Sequence, residues 1–305
     1  MNITGHTGEL AALATAFFWT FTSLAFEQAS RRVGSLAVNL YRLLLALLFY
    51  SLLSQGIRSQ ALPLDASPQA WAWLSLSGLV GFVIGDYFLF RAFAIVGARI
   101  SMLVMALAPP IAALTGWAIL GEHLRPSGLA GMVITLTGIV LVVMERDRST
   151  PIAEGQSARL VHHPQGLFFA FLGAAGQGVG LVLSKLGMGS YDAFASSQIR
   201  VIAGLGGFLL LFSLLKRWSK ARAVLHDPQA LRFILIGAFF GPFLGVSFSL
   251  ISIRHTSTGI ASTIMAIVPV LIIPFAWLIL HERIRWREML GAALAVAGVS
   301  VFFLF

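Results

Sequence analysis

Apolar residues run along this chain in stretches of about 20, the length a helix needs to cross a bilayer core. Ten such stretches lie near 9–29, 36–55, 69–95, 99–120, 127–145, 165–185, 192–215, 229–253, 257–280 and 287–305, and most of the breaks between them are only a few residues long. Two breaks are longer: a polar linker at 146–164 ("RDRSTPIAEGQSARLVHHP") and a basic loop at 216–228 ("KRWSKARAVLHDP"). The linker divides the chain into two units of five predicted helices, residues 1–145 and 165–305. The first apolar stretch does not read as a cleavable signal peptide. No Lys or Arg precedes it, and it exceeds the roughly 7–15 apolar residues of such a region.

Composition agrees with lipid as the solvent. Of 305 residues, 58% are hydrophobic and 11% charged, less than half the roughly 25% charged content of soluble domains. Mean hydropathy is +0.88. The net charge of +9 does not point to nucleic acid, because the basic residues sit in short clusters between apolar runs with no aromatic interleaving. There is no cysteine, which removes disulfides, thiolate nucleophiles and Cys-bound metal.

The chain repeats itself. Displaced by 160 positions, residues 68–145 align with 228–305 without a gap, and 17 of the 78 columns are identical. The matches include Gly81, Gly85 and Phe88 with Gly241, Gly245 and Phe248. Met105 and Pro109 match Met265 and Pro269, and Trp117, Glu122 and Arg125 match Trp277, Glu282 and Arg285. Shared apolar composition does not produce matched prolines, tryptophans and glutamates. Upstream the offset is 158, which pairs Trp19 with Gln177, Glu27 with Lys185 and Arg42 with Arg200.

Five spans is an odd number, so the second unit enters the membrane from the opposite side. Breaks after the odd-numbered stretches and their flanks carry fifteen Lys/Arg, and the opposite set carries four: Arg58, Arg125, Lys185 and Arg254. By the positive-inside rule the first set is cytoplasmic and both termini lie outside. Inverted repeats of this kind build many transporters, with the site near the midplane between the halves.

The most similar phrases of the two halves, "WAILGEHLRP" (117–126) and "WLILHERIRW" (277–286), end in charges. A zinc reading fails on spacing, since Arg285 stands where an HExxH helix needs its second histidine. The glutamate instead fits a tight turn between helices, accepting backbone N–H groups or pairing with Arg125 or Arg285. Two five-helix repeats, each with an arginine in its second helix and this turn before its fifth, resemble the drug/metabolite transporter superfamily. "ILGEHLRPSGLAGMVITLTGIVLV" and its echo "LILHERIRWREMLGAALAVAGVSVFF" resemble the EamA-type repeat. Within it the chain is most similar to the YddG-like branch of bacterial exporters for aromatic and other neutral amino acids. The resemblance implies an all-α integral membrane protein of ten transmembrane helices, in two inverted five-helix repeats around a central cavity. It also implies a multi-pass location in the bacterial cytoplasmic (inner) membrane.

Several residues carry candidate chemistry. Pro109 and Pro269 remove an N–H and free the carbonyls of Met105 and Met265, making symmetric kinks that serve as hinges. Met105 and Met265 offer polarizable surface for apolar ligands. Trp19 and Gln177 supply an apolar body and hydrogen-bonding groups. Asp86, whose counterpart is Val246, either faces the pathway to hold an ammonium or a proton, or pairs with an arginine such as Arg91. Tyr87 beside it matches Ser247. Glu27 and Lys185 read as interfacial charges that reach toward water, and Arg42 and Arg200 as helix-end anchors. The glycines of segments 3, 6 and 8 read chiefly as close-contact faces between helices.

No catalytic constellation appears: the seven histidines fall outside or at the ends of the spans, and no phosphate-binding loop is present. The expectation is a secondary transporter without metal or cofactor, working by alternating access as a monomer in the lipid bilayer. It exports small-molecule substrates, aromatic or large neutral amino acids first. Organic cations, drugs or nucleotide-sugar-like metabolites are the alternative for the same fold.

Overall fold

The computed structural model describes residues 6–123, 126–143, 163–265, 267–280 and 286–304. All regular structure among them is helical. α1 (Thr7–Val33) and α2 (Ser35–Arg58) meet at Gly34, whose φ of 83° is open to glycine. α3 (Pro68–Gly78) runs through a π-helical segment, Leu79–Asp86, into α4 (Tyr87–Val104). A 3₁₀ turn, Met105–Leu107, then leads to α5 (Ala108–Leu120), followed by α6 (Pro126–Val143). The second half holds α7 (Pro164–Met188), α8 (Ala193–Leu215), the short α9 (Trp218–Val224) and α10 (Pro228–Ala238). A second π segment, Phe239–Gly245, feeds α11 (Val246–His255), and α12 (Thr258–Met265), α13 (Val268–Leu280) and α14 (Trp286–Leu304) complete the chain.

Six stretches are long and apolar enough to cross a membrane, and shorter apolar helices lie within α6 and α14. One of the six, Pro68–Leu120, has 53 residues. At 1.5 Å per residue it would measure about 80 Å, far beyond a hydrocarbon core of about 30 Å. Gly97 divides it: φ 83° and ψ 162° leave the helical region, between the third and fourth predicted segments. The linker at 146–164 lies, apart from residues 163 and 164, outside the described residues. So do Arg125, Glu282 and Arg285, and with them the second copy of the turn glutamate.

The repeated "Pro-Gln-Ala" marks helix starts. Ser67 and Asp227 accept from the N–H groups of Ala70 and Ala230 at 3.1 and 2.9 Å, with Pro68 and Pro228 in the first turn. The basic loop at 216–228 is not wholly irregular. α9 folds there because Ala221 and Val224 are buried while its lysine and arginine, Lys220 and Arg222, face outward. Tyr41 donates to the Ala221 carbonyl at 2.9 Å, tying α9 to α2.

The halves interlock. α7 of the second half lies along α3, α4 and the π segment of the first, while α1 of the first half lies along α10, α11 and the second π segment. Glycine makes the first crossing possible: a Cβ on Gly176 would stand 2.6 Å from the Gly85 Cα. Gly173, Gly176 and Gly180 all face that crossing, and the neighbouring Gly178 meets the α5 backbone instead. The second crossing replaces a glycine by an aromatic ring, since a Cβ on Gly245 would meet the Trp19 indole at 2.7 Å.

Candidate functional site

Two adjoining spaces that share lining residues lie between the two halves of the molecule. Trp19, Met102, Met105, Gln177 and Val246 border both spaces. Pro109, Arg200, Ser249, Met265 and Pro269 complete the first, and Phe26, Arg42, Phe82, Asp86, Phe90 and Pro242 the second. The walls are therefore largely aromatic and thioether surface, with few polar groups.

Both helix interruptions that border the first space fall where the prolines act. Pro109 cannot donate, and the Met105 carbonyl accepts instead from Ala108 in the 3₁₀ turn. In the second half the helix is interrupted between Met265 and Val268, and Pro269 opens α13. The interruption turns Met105 and Met265 inward, at 8% and 2% exposure. The paired π segments at Leu79–Asp86 and Phe239–Gly245 stand beside the second space, where such bulges often mark working parts of a protein.

The polar centre is a buried ion pair. Arg42 Nη2 donates to Asp86 Oδ2 at 2.5 Å and its Nε to Asn39 Oδ1 at 2.9 Å. Gln177 Nε2 donates to the other carboxylate oxygen, Oδ1, at 2.5 Å. Three rings, Phe26, Phe82 and Phe90, lie under the Arg42 guanidinium at 5.7, 5.4 and 4.9 Å, offering cation–π contact in place of hydration. Both members are almost fully buried. In low dielectric neither charge is tolerable alone, so the pair holds α2, the π segment and α7 together.

Of the residues singled out in the sequence, Trp19, Asp86, Met105, Gln177, Met265, Pro109 and Pro269 border these spaces. Tyr87 and Ser247 do not. Tyr87 packs edge-on against Phe88, and Arg91 lies over it and over Phe169 at 5.8 and 4.4 Å. Ser247 is fully buried behind the wall, its hydroxyl 2.6 Å from the Tyr50 oxygen. Tyr50 in turn reaches the carbonyls of Pro242 and Phe243 at 2.7 and 2.9 Å.

Five charges sit differently from the sequence expectation. Asp86 pairs with Arg42 of another helix, not with Arg91. Arg42 and Arg200 are not helix-end anchors but are 3% exposed at the centre, where Asp86 and three rings receive Arg42 and the Phe82 ring lies against Arg200. Glu27 does not reach outward. It is 2% exposed and accepts from Arg31 Nε at 3.0 Å and the Ala98 N–H at 2.9 Å. Lys185, still partly exposed, is held by Glu122 Oε1 at 2.8 Å, whose other oxygen accepts from Thr258 at 2.5 Å.

Two units of helices close around a mostly apolar cavity with a buried ion pair at its edge. The chain belongs to the EamA-like transporter family, within the drug/metabolite transporter superfamily, which matches over residues 6–144 and again over 164–304. A solved crystal structure shares the fold across 97% of this chain and 96% of its own, with a TM-score of 0.68 and 18% identity. No curated protein matches.

Proposed function

We propose that this chain is an exporter of aromatic or large neutral amino acids in the bacterial cytoplasmic membrane. It crosses ten times as two inverted five-helix repeats, residues 1–145 and 165–305, joined by the linker at 146–164. The two halves rock about Pro109 and Pro269, and both termini face away from the cytoplasm. The observation that carries this reading is the convergence of repeat-equivalent residues, Met105 with Met265 and Trp19 with Gln177, on one central space. An aromatic side chain would bury its ring against Trp19 and the methionines and need only a few polar contacts. Gln177 supplies a polar contact in that space and Asp86 in the adjoining one, while Tyr87 and Ser247 brace the wall from behind. Metabolites with several negative charges fit poorly, because Arg42 is already neutralised by Asp86.

The direct test is uptake of phenylalanine, leucine, an organic cation and a nucleotide sugar into proteoliposomes, with and without a pH gradient. Saturable flux of phenylalanine and leucine in exchange mode is expected. Flux of the cation or the nucleotide sugar with neither amino acid moving would overturn the substrate assignment.

A further inference from the structure

The two halves differ at one pair of equivalent positions. In the first, Arg42 has a carboxylate and an amide oxygen as acceptors, Asp86 Oδ2 and Asn39 Oδ1. The repeat carries Arg42 onto Arg200, Asp86 onto Val246 and Asn39 onto Ser197. Ser197 gives its hydroxyl to the Ala193 carbonyl at 2.8 Å. The second half thus keeps the guanidinium and lacks both acceptors.

Arg200 is 3% exposed, borders the first cavity together with Val246, and forms no hydrogen bond among the described residues, its Nε being buried without a partner. The Phe82 ring lies 4.9 Å from the guanidinium carbon, and Tyr50 and Asp86 are near enough to act on its charge without bonding it. Asp86, the carboxylate that borders the adjoining space among the described residues, already receives Arg42 and Gln177 on its two oxygens. A desolvated guanidinium without an acceptor is costly, and its forked donors match a carboxylate well.

We propose that Arg200 is the docking group for a carboxylate on the substrate, which takes the place that the repeat gives to Asp86 in the other half. This deepens the amino-acid reading above and rests on it for the identity of the rest of the molecule. It adds the specificity rule: a single carboxylate is required, and amides, esters and amines of the same side chain are rejected. One guanidinium without a hydrogen-bonded acceptor suits one carboxylate, which separates monocarboxylates from phosphate-bearing metabolites.

The experiment uses the whole protein in liposomes and four probes of equal ring size: phenylalanine, phenylalaninamide, phenethylamine and 3-phenylpropionate. Wild type is expected to favour the two carboxylates by roughly tenfold or more over the other two, as polar sites do against analogues lacking the matching group. R200Q should lose that preference. V246D, which restores the repeat's own ion pair beside Arg200, should also lose carboxylate binding while melting no lower than wild type. The wild-type series and V246D decide the matter even where R200Q folds poorly. Phenylalanine carried equally by wild type, R200Q and V246D would overturn the carboxylate site and leave the amino-acid reading standing. Transport of 3-phenylpropionate alone, lost in R200Q, would uphold the carboxylate site and remove the amino-acid reading. Preference for phenethylamine over both carboxylates would overturn both.

Discussion

Glu27 and Lys185 occupy equivalent positions in the two repeats, carry opposite charges, and hold opposite ends of equivalent helix junctions. Glu27 accepts from the Ala98 N–H at 2.9 Å, where a helix restarts after Gly97. Lys185 donates to the Thr256 carbonyl at 3.3 Å, just past the end of α11. Helix starts favour anions and helix ends favour cations, so each junction has the charge its backbone calls for. In the inverted arrangement proposed above, the two junctions lie at opposite membrane faces. Under that proposal each junction is a latch for one side of the transport cycle.

The first prediction follows from that geometry. Glu27→Gln keeps one acceptor and should destabilise the protein by about 1–3 kcal/mol, through the weakened contacts to Ala98 and Arg31. Glu27→Lys should prevent assembly, because it places a cation against a helix start and beside Arg31. Thermal unfolding of the purified variants in detergent reads both. A Glu27→Lys protein as stable as wild type would show that the junction is not held by charge.

The opposite latch predicts a pH response. Burial pushes the Glu122 carboxyl upward, but Lys185 and Thr258 outweigh it and hold the group below its ordinary range. A carboxylate depressed in the folded state contributes stability above its unfolded pKa, about 4.3. That contribution is lost as pH falls through the folded value. Because both partners are partly exposed, the contribution is about 1 kcal/mol. Asp227 is depressed as well, by the Ala230 N–H and then by Arg32, and adds to the same acid limb. Glu122→Gln should therefore melt lower than wild type at pH 7 and converge with it near pH 3. Parallel curves across that window would mean that the Lys185 contact contributes nothing.

The buried pair at the centre predicts non-additivity. Asp86→Asn leaves Arg42 without its counter-charge and should cost about 3–5 kcal/mol, as should Arg42→Gln. The double variant should recover part of the loss, giving a coupling energy well above the few tenths seen for independent sites. A simple sum of the two losses would mean that the charges are not coupled.

Much of this arrangement was legible in the sequence because the repeat made it so. An offset of 160 picked out Met105 with Met265 and Pro109 with Pro269, and an offset of 158 picked out Trp19 with Gln177. All six border the cavity. What the offset could not supply was the choice of partner across helices. Arg91 seemed the natural partner of Asp86, but five residues along a helix rotate a side chain about 140° away, and the acceptor's true partner lies 44 positions upstream. The π segments were hidden for a related reason: they lie where helices cross, at Gly85 against Gly176 and at Gly245 against Trp19, and such crossings are set by another part of the chain. The burial of Arg200 was equally silent, since its sequence surroundings resemble those of any arginine in an apolar run.

The glycine crossing gives a sharp contrast. Gly176→Ala drives a methyl group to 2.6 Å from the Gly85 Cα and 2.8 Å from its nitrogen, both backbone atoms that cannot step aside. It should cost about 1–3 kcal/mol or more and lower the yield of folded protein. Gly206→Ala in α8 meets nothing within 4 Å and should be neutral. Size-exclusion profiles after expression distinguish the two, and equal yields would mean that α7 does not seat on the π segment as described.

The cavity itself gives the last prediction. Met105 and Met265 border the first space from the two halves, and each is a flexible side chain next to a proline-interrupted turn. Replacing either by Trp adds a bulky, stiff ring where a substrate ring would lie. Some of that bulk can enter the open space, so each variant should assemble with no more than about 1–3 kcal/mol lost to overpacking, and membrane abundance should hold. Transport should fall steeply in both, because the volume available to the substrate shrinks. Met→Leu at either position keeps volume and should retain most of the flux. The contrast between Trp and Leu separates filling the site from disturbing the helix break, which both substitutions would do alike. Normal phenylalanine flux in both Trp variants would mean that the substrate does not pass between Met105 and Met265, and the central cavity would lose its assigned role.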